Sequence, residues 1–482
     1  MSDERLIALI NHLRSLPRET EWVEFKVDNS DPQVLGKRIS ALSNGARLKD
    51  RSAGFLAYGV EDGTHKVVGT RFKGDAAKAK GQPLLLWLSQ HLDPTPVLNF
   101  SDVAHPEGRV VLIEISAAMG VPTKFDGHAY IRLGEATPRL SDHQQLEKQL
   151  WSRLQSYAWE KDEAMQYVSS EAVLALLDHK VIFSLLSLPA TRNPMRALEV
   201  LQTEGMIVPD VGGRWNVLNL GACLLAKDLR RFERVSRKAV RLIQYEGLSR
   251  VRAKQEIPIV GGYAVEFEPL IDKVMDLTAL ENIGSLRLKS QPFPRVAVRE
   301  LVANALIHQD MTATGAGPTV EIFDDRIEIT NPGKSLVEPK RFIDMPPRSR
   351  NETLAAIMRR MRICEERGSG IDRVIETVEE GHLPAPDFVS EAEPSFTRAT
   401  LLGPRAFASM TATERIRACY QHTCLLNEQG KWATNGTLRA RFDVPASNST
   451  HISRVFKETR ESGLIKLADP AHPKGGYIPD YA

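Results

Sequence analysis

Three residues spaced by four, Glu300, Asn304 and His308, place a carboxylate, an amide and an imidazole at intervals that suit one face of an α-helix. Carboxylate and amide oxygens are ligands that a hard cation such as Mg²⁺ prefers. A set of this kind could therefore serve a polyphosphate that is bound together with a metal ion. From spacing alone, the alternative is an amphipathic helix whose polar residues have no chemical task.

The helix that must carry these side chains has an apolar stripe on another face. The apolar residues that recur at helical spacing are Val298, Leu301, Val302, Ala305 and Leu306. The glycine-rich residues 314–318 end the helix, and residues 320–330 alternate as a strand does. Residues 331–333, Asn-Pro-Gly, predict a turn after that strand. The sequence therefore predicts a helix that leads into a strand.

Many positions of this stretch resemble the divergent GHKL-type ATPase domain that follows a Schlafen AlbA-type domain in many microbial proteins. The matching residues are Arg299, Glu300, Asn304, Ala305, His308, Gln309 and Asp310, then Asp324 to Ile329 and Asn331 to Gly333. The resemblance implies that Glu300 and Asn304 form the box that holds Mg²⁺ and nucleotide, with ATP as the cofactor. It also places His308, Asn331 and Gly333 at the nucleotide site.

A second glycine-containing segment, residues 365–371, resembles the second glycine box of the same family. Glycines at a helix start let backbone N–H groups approach phosphate, where the helix dipole favours anions. The resemblance implies that Gly368, Ser369 and Gly370 contact the nucleotide.

Residues 331–333 stand where classical GHKL enzymes carry an Asp that reads adenine, so nucleotide binding is expected more than robust hydrolysis. Weak ATPase activity remains an open expectation. Arg350 and Asn351, which open a predicted helix, match a further Arg-Asn pair of the family. Residues 396–402 would then form the closing strand of the domain.

The composition of the 482 residues is that of a soluble globular protein, and the length predicts two to four domains. A net charge of +2 gives no overall field that points to nucleic acid, so any such surface must be local. The four cysteines form no Cys-X-X-Cys pair, which argues against a zinc site and for a reduced intracellular compartment. Since no apolar run suits a membrane span or a signal peptide, we expect a cytoplasmic protein.

Residues 1–150 mix strand and helix signals. Strands are predicted at residues 20–27, 54–60 and 129–133, a helix at 32–44, a basic loop at 45–52 and a hairpin return at 65–68. The pattern indicates a mixed α/β module.

This span resembles the Schlafen AlbA-type domain over most of its length. The matching residues are Glu19 and residues 24–26, 41–44, 59–63 and 130–134. In the nuclease-active branch of that family, three carboxylates form a metal-dependent RNA-cleaving site, and here they map to Glu19, Glu24 and Asp62. Such carboxylates bind divalent ions that stabilise charge on the phosphate and activate water.

A purely structural role for these acids stays open, because the same residue strings occur in family members that are labelled only as DNA-binding. Glu19 and Glu24 also differ in parity, so a shared site requires Glu19 to lie in the turn before the strand. In the predicted basic loop, Arg47, Lys49 and Arg51 could contact phosphates or lie in solvent.

Residues 151–405 are expected to hold linker helices and the GHKL-type ATP-binding domain. Residues 160–171 are predicted as a charged linker, residues up to 203 as helical, and residues 239–245 as a strand. The basic run between Lys227 and Arg241 is more often a solvated face than a nucleic-acid site.

Residues 410–482 predict a winged helix. Helices are expected at 412–424, 435–442 and 450–462, and short strands at 464–467 and 476–478. Arg454, Lys457 and Arg460 on the third helix suit groove reading or phosphate contact. The alternative is a winged helix that docks a protein.

Together these predictions describe an α/β (α+β) multidomain chain: a Schlafen AlbA-type domain, a GHKL-like α/β sandwich and a winged helix. The first hypothesis is an ATP-switched regulator of transcription or of a defence locus that binds DNA or structured RNA. The second is a metal-dependent endoribonuclease that cleaves tRNA or other structured RNA, with antiviral defence as its setting. The third is a scaffold without nucleotide. A homo-oligomer is expected, because GHKL and winged-helix proteins often pair.

Overall fold

A computed structural model describes residues 3–28, 31–74, 76–155, 158–282, 288–364, 369–472 and 475–482. The chain divides into two compact units. The first comprises Met1–Ala158, Met165–Ser169 and Val208–Asn216, and the second comprises Trp159–Ala164, Ser170–Ile207 and Val217–Ala482. Within the described ranges, every helix is too short or too polar to cross a lipid bilayer.

The first unit is a mixed α/β structure. Its helices are α1 (Asp3–Arg14), α2 (Pro32–Leu48), α3 (Leu84–His91) and α4 (Gln144–Gln155). Its strands are β1 (Val23–Lys26), β2 (Ala53–Tyr58), β3 (Lys78–Ala79), β4 (Gln82–Pro83), β5 (Leu92–Asp93), β6 (Leu98–His105), β7 (Gly108–Ser116), β8 (Lys124–Phe125) and β9 (His128–Ala129).

The central sheet of this unit has the strand order β1-β2-β7-β6. Strand β1 pairs with β2 in parallel, and the other pairs are antiparallel. Asp31 is the N-cap of helix α2, and its side chain accepts a hydrogen bond from the Val34 N–H. The apolar residues of α2 pack with those of the sheet in one core. Within α2, Gly45 lies so close to the Glu21 carbonyl that a Cβ would stand 1.9 Å from its oxygen.

Three predictions for this unit are wrong in detail. Helix α2 continues to Leu48, so part of the predicted basic loop is helical. Residues 65–68 make a single bridge, Val60 with Val67, rather than a strand. Residues 130–133 also form bridges only, because the Tyr130 N–H donates to the Ser40 hydroxyl and the Asn44 amide donates to the Tyr130 carbonyl. Side chains of α2 thus take the backbone groups that a strand ladder would use.

The second unit holds the remaining helices. They are α5 (Ser170–Leu176), α6 (His179–Leu185), α7 (Pro194–Thr203), α8 (Asn219–Leu225), α9 (Tyr263–Thr278), α10 (Arg295–His308), α11 (Glu352–Arg360), α12 (Gly370–Glu380), α13 (Ala412–Glu428), α14 (Asn435–Arg441) and α15 (Ser449–Glu461). Where the chain passes between units, its strands are β10 (Glu163–Val168), β11 (Ile207–Pro209) and β12 (Trp215–Leu218).

The later strands belong to the second unit alone. They are β13 (Arg241–Tyr245), β14 (Ala253–Pro258), β15 (Leu280–Asn282), β16 (Leu288–Ser290), β17 (Thr319–Ile322), β18 (Arg326–Pro332), β19 (Asp387–Ala392), β20 (Ser395–Leu402), β21 (Ile465–Leu467) and β22 (Tyr477–Pro479).

A six-stranded sheet in the order β14-β13-β17-β18-β20-β19 forms the base of this unit. Strands β13 and β17 are parallel, and the other neighbours are antiparallel. Helices α9 and α10 pack on the sheet, and α12 packs on α10. The GHKL-like α/β sandwich expected from the sequence is therefore a layer of helices on a mixed sheet.

Two predictions for the second unit need correction. Residues 160–171 are not a linker, since they contain β10 and the start of α5. Residues 320–330 are two strands rather than one, because the chain turns at residues 323–325 and the Phe323 N–H donates to the Arg326 carbonyl. Strand β18 then continues to Pro332, so only Gly333 of the predicted turn lies beyond it.

The C-terminal part follows the winged-helix order of three helices and an antiparallel strand pair, β21 with β22. A bridge between Ala433 and Tyr477 adds the short extended segment that precedes the second helix in this arrangement. Residues of α13, α14 and α15, among them Leu438, Ile452 and Phe456, share one core. Thr411 and Glu414 form a capping box at the start of α13.

Candidate functional site

The largest group of predicted site residues lines one cavity of about 960 Å³ in the second unit. Helix α10 supplies Glu300, Asn304 and His308, β18 supplies Asn331, and α12 supplies Gly370. Val298 and Val302 on the apolar face of α10 are fully buried, and the packing of this helix against the sheet turns its polar face toward the cavity. Two further wall elements are α11 and the segment of residues 335–349.

Three predicted residues stand apart from this wall. Ser369 is adjacent to the lining residue Gly370, and Gly333 is two positions from Asn331 and from Ser335, but neither Ser369 nor Gly333 lines the cavity. Gly368 lies outside the described residues. The site that the structure describes is therefore formed by Glu300, Asn304, His308, Asn331 and Gly370.

The N-terminus of α12 meets Glu300 at the cavity. Gly370 is the first residue of the helix, and the side chain of the preceding Ser369 makes no capping hydrogen bond. A Cβ at position 370 would stand 3.0 Å from Glu300 Oε2, so glycine permits this close approach. The N-terminus of a helix of this length attracts anions through its N–H groups and its dipole.

Charge at the cavity is arranged around Glu300, which is 4 % exposed. Its Oε1 lies 3.5 Å from Arg373 Nη1, one turn into α12. Burial lowers the pKa of His308, and the nearby Arg350 charge lowers it further, against a hydrogen bond to the Arg348 backbone. His308 is therefore neutral at pH 7, and because its ring N–H donates to the Arg348 backbone carbonyl, its other ring nitrogen is the one that can accept a hydrogen bond from a ligand.

Gly333 shapes the chain beside the C-terminus of α10 rather than the cavity wall. Its φ is +98°, and a Cβ there would lie 2.5 Å from Arg350 Nη1 and 2.7 Å from the Asp310 Cβ. Arg350 in turn donates to the Lys334 carbonyl at 2.8 Å and lies 3.7 Å from Asp310. A side chain at position 333 would separate these groups.

Three buried polar residues that were not predicted as site residues hold the walls of the cavity or the segment that follows α10. The Asn351 amide donates to the carbonyls of Ile307 and Gln309, both at 2.8 Å, and so joins the end of α10 to the start of α11. Lys238 donates to the Ala313 carbonyl at 2.7 Å and supports the glycine-rich segment after α10. The match of Asn351 to the family's Arg-Asn pair could have indicated its role from the sequence. Lys238 could not be distinguished in this way, because it is one of several basic residues between Lys227 and Arg241.

The third of these residues, Glu160, accepts a hydrogen bond from the Leu354 N–H in the first turn of α11. It is 3 % exposed, and burial raises its pKa against the effect of that bond. The sequence around Glu160 gave no sign of this role, because its partner lies almost two hundred residues away.

In the first unit, the three acids of the predicted nuclease site lie in one ion-pair network. Glu19 precedes β1, as the parity argument required, and accepts a hydrogen bond from the Phe25 N–H at 2.6 Å. Arg132 contacts the carboxylates of both Glu19 and Glu24. The Arg132 side chain is 1 % exposed, so this part of the network is sealed from solvent.

Two more cations complete the network around Glu24. Arg38 lies 2.8 Å from Glu24 Oε1, and Lys26 lies 3.7 Å from the same oxygen. Lys26 also pairs with Asp62 at 2.7 Å, and Asp62 is the member that solvent reaches. Three carboxylates and three cations leave the network formally neutral.

The surroundings shift the pKa values of Glu19 and Asp62 in opposite directions. Burial raises the pKa of Glu19, against the Phe25 N–H and the Arg132 charge. Burial also acts to raise the pKa of Asp62, but the hydrogen bond and charge of Lys26 outweigh it and the pKa is lowered. Among the described residues, no three acidic, histidine or cysteine side chains stand in positions to hold one metal ion. The acids are thus brought together, but around cations of the protein.

The predicted basic loop of the first unit is engaged with its own surroundings. Arg47 belongs to α2 and donates to the Ala118 carbonyl at 2.7 Å. Lys49 pairs with Glu21 at 2.9 Å, and the Arg51 guanidinium lies 4.9 Å from the centre of the Trp22 ring. Each of these side chains therefore has a partner within the protein, and their contact with phosphate stays a prediction.

On the third helix of the winged-helix region, Arg454, Lys457 and Arg460 are all exposed on α15. Arg454 pairs with Glu458 at 2.9 Å, and Lys457 lies 3.8 Å from Glu461. Such exposed pairs on a helix are worth about 0.3–0.5 kcal/mol and exchange readily with an external anion. The helix therefore has an exposed basic face whose charge is partly neutralised by Glu458 and Glu461.

The far end of α12 contacts the winged-helix region. Glu379 lies 2.9 Å from His422 Nδ1 on α13 and 3.5 Å from Arg441 Nε on α14. His422 Nε2 is within 3.0 Å of the Thr437 hydroxyl, and Arg441 donates to the Leu383 carbonyl at 2.6 Å. One helix thus reaches from the cavity, at Gly370, to a buried polar junction with α13 and α14.

Comparisons with known proteins agree with this architecture. Residues 19–141 match the family model described as Schlafen, AlbA_2, and residues 315–401 match the one described as putative ATP-dependent DNA helicase recG C-terminal. The chain contains a Schlafen AlbA_2 domain and an ATPase-like domain of this type. The first match includes Glu19, Glu24 and Asp62. The second begins after α10, so Glu300 and Asn304 lie outside it.

Among solved structures, the DIP2311 protein from Corynebacterium diphtheriae is similar to this chain. The similarity covers 99% of this chain and 97% of that one, with 17% sequence identity and a TM-score of 0.41. No curated protein gives a significant match.

Proposed function

We propose that this chain binds ATP with Mg²⁺ in the cavity of the second unit and acts on nucleic acid under the control of that nucleotide. The observation that carries the proposal is the combination, in one cavity of about 960 Å³, of Glu300 and Asn304 with the N-terminus of α12. A nucleoside triphosphate requires hard oxygen ligands for its metal and positive potential for its phosphates. It also requires an apolar wall for its base, and Ile329, Phe342 and Phe388 offer one.

In this proposal, Glu300 and Asn304 hold Mg²⁺, and the first N–H groups of α12 face the phosphates. Bound Mg²⁺ would neutralise phosphate charge. It would compete with Arg373 for the Glu300 carboxylate, because Arg373 Nη1 stands 3.5 Å from Glu300 Oε1. Loading of the site would then change the first turn of α12, the helix whose other end holds Glu379. Nucleotide and the winged-helix region would be coupled through that one helix.

Titration of the full-length protein with an ATP analogue that resists hydrolysis, in the presence of Mg²⁺, tests the nucleotide site. Asn304→Ala should weaken binding at least about tenfold, since one polar contact is worth about 1.5 kcal/mol or more at a charged ligand. Asn99→Ala is the matched control, because Asn99 is exposed on β6 of the other unit. Equal affinities for wild type and Asn304→Ala would remove this site from consideration.

For nucleic acid, the proposal assigns contact to the exposed cations of α15. The double variant Arg454→Ala/Lys457→Ala should reduce retention of duplex DNA and reduce the slope of affinity against salt, since about two phosphate contacts are lost. The same measurement with and without the ATP analogue tests the switch. If DNA affinity is the same in both states while nucleotide binds, the regulatory part of the proposal fails and nucleotide binding stands.

The second candidate function, metal-dependent cleavage of tRNA or other structured RNA, is favoured by the clustering of Glu19, Glu24 and Asp62 around Lys26 and Arg132. It requires a divalent ion to displace Lys26 from between Glu24 and Asp62. Incubation with total tRNA and Mg²⁺ or Mn²⁺ tests it directly. Cleavage by wild type that is lost in Asp62→Asn supports the nuclease.

Asp102→Asn is the control for that assay, because Asp102 is likewise exposed and ion-paired, with Arg109 on the next strand. It should cleave as wild type does. RNA that stays intact with every metal would leave the three acids with a structural role.

A further inference from the structure

The six-stranded sheet of the second unit ends at β14, whose outer edge pairs with no strand among the described residues. Of Ala253–Pro258, all are exposed except Ile257, which is half-buried. The opposite edge differs, because β19 contacts the turn Pro339–Arg341 and the Ser390 hydroxyl accepts a hydrogen bond from the Ser335 N–H. Strand β14 therefore offers backbone N–H and C=O groups that a further strand could pair with.

This edge is held in place by its own sheet. Gln255 donates to the Gln244 side chain at 2.8 Å, and Glu256 pairs with Arg241 at 2.9 Å, both across to β13. The loop that joins the two strands is anchored by Arg250, which pairs with the buried Glu321 at 2.7 Å on β17. An incoming strand would meet an ordered edge, which lowers the entropy that pairing must overcome.

The sequence of β14 is complementary to itself when two copies run antiparallel about Gln255. In that register Lys254 lies opposite Glu256 of the second copy, twice over. The regular pairing of β14 with β13 ends near Lys254, because Gln255 is opposite Gln244 whereas Ala253 is opposite the next residue, Tyr245. The central pair is Gln255 with itself, whose amide can both donate and accept. Opposite charges that face each other directly stabilise a strand pair.

The same residues disfavour neighbouring registers. A shift of two residues in one direction sets Glu256 opposite Glu256, and a shift in the other sets Lys254 opposite Lys254. Like charges directly opposite are destabilising. Pro258 has no N–H and so ends the pairing at its far end. The edge thus specifies one antiparallel register with a twofold axis.

We infer that β14 is a self-association surface through which two copies of this chain join their six-stranded sheets into one continuous antiparallel sheet. The occupant of the edge is the β14 strand of the second copy, in the register centred on Gln255. Five residues from each copy make a small interface, below the roughly 1,200 Å² of stable complexes, so the dimer should be weak and form near micromolar concentrations. This inference does not depend on nucleotide.

Sedimentation velocity of the full-length protein across two decades of concentration around the micromolar range tests the inference. Wild type should shift from monomer toward dimer. Lys254→Glu sets acids opposite Glu256 in both cross-strand pairs and should raise the dissociation constant at least about tenfold, while the Arg241 pair with Glu256 is kept. Lys254→Glu/Glu256→Lys restores opposite charges across the two copies but removes the Arg241 pair with Glu256, so it should recover part of the association.

Glu233→Lys, which changes an exposed acid outside β14, should dimerise as wild type does. Thermal unfolding of each variant confirms that the fold is retained. A wild type that stays monomeric over the whole range overturns the inference. So does a Lys254→Glu variant that associates as strongly as wild type, because the contact would then lie elsewhere or involve another kind of partner.

Discussion

The carboxylate of Glu160 accepts a hydrogen bond of 2.7 Å from the backbone N–H of Leu354, which follows it by 194 residues. Leu354 lies in the first turn of α11, a wall of the cavity, and Asn351 at the start of that helix makes no side-chain cap of its own. Glu160 therefore supplies the cap from a distant part of the same unit, and the negative carboxylate also suits the helix dipole.

Two replacements of Glu160 should distinguish the contribution of its hydrogen bond to stability from the contribution of its charge. Glu160→Ala leaves the Leu354 N–H buried without an acceptor and should cost about 1–3 kcal/mol of unfolding free energy. Glu160→Gln keeps an oxygen acceptor, so its cost should be smaller. Chemical denaturation measures both, and equal losses for the two variants would show that the acceptor is not what matters.

The pH dependence of the Glu160 variants has a definite sign. Because burial raises the pKa of Glu160 above 4.5, the ionised group destabilises the folded state above that raised pKa, and the penalty disappears as the pH falls below 4.5. The stability of Glu160→Gln relative to wild type should therefore be more favourable at pH 7 than at pH 4. A difference of the opposite sign would contradict this assignment.

Asp372 in the first turn of α12 should destabilise the protein at neutral pH. Burial, helped by Glu428 and Glu376, raises its pKa from 3.8 to about 6. The resulting penalty is complete above pH 6 and vanishes as the pH falls through 3.8, so Asp372→Asn should stabilise at pH 7 and have little effect at pH 3.5. After allowance for solvent screening, the gain should be about 1 kcal/mol.

Calorimetric melting temperatures at the two pH values measure this effect. Asp276→Asn, at an exposed position of α9, is the matched control. If both variants respond alike, the local environment of Asp372 is not the cause.

Loss of Glu24 should damage the fold of the first unit rather than remove catalysis alone. Glu24 is 3 % exposed and contacts Arg132, whose side chain is 1 % exposed. Removal of one partner of a buried ion pair costs about 3–5 kcal/mol, because the other charge stays buried. Glu24→Ala should therefore unfold much more readily than wild type in urea.

Asp62→Asn should cost less than about 1 kcal/mol, since the Asp62 side chain is 41 % exposed. The contrast between the two variants identifies Asp62 as the better probe of nuclease activity. Similar urea midpoints for Glu24→Ala and wild type would mean that the Arg132 network tolerates an open position.

Glu379 should carry the coupling between nucleotide and nucleic acid. Arg441 is 4 % exposed, and burial lowers its pKa, so it needs the Glu379 carboxylate beside it. Glu379→Gln should keep nucleotide affinity near wild type but abolish the effect of the ATP analogue on DNA affinity. DNA retention with and without the analogue measures this.

Glu380→Gln, at an exposed neighbouring position, is the control for the coupling and should leave it unchanged. If Glu379→Gln retains the full effect of nucleotide on DNA affinity, the signal does not pass through this end of α12.

Several elements could be read from the chain because local patterns specified them. The apolar stripe of α10, for example, is a signal that lies within a few residues. The helix order of the C-terminal region followed in the same way. Where prediction failed, as at Tyr130, side chains from another element took the backbone hydrogen bonds.

The sequence by itself determined which residues share a helix face, so it grouped Glu300, Asn304 and His308 and predicted their chemistry. Only the tertiary structure decided what meets them. It brought Gly370 and Arg373 to Glu300, set Arg132 among the acids of the first unit and turned Glu160 toward Leu354. Helix periodicity depends on neighbours a few residues apart. Ion pairs and caps depend on packing between distant segments, such as Glu160 and Leu354, and spacing along the chain carries no record of that packing.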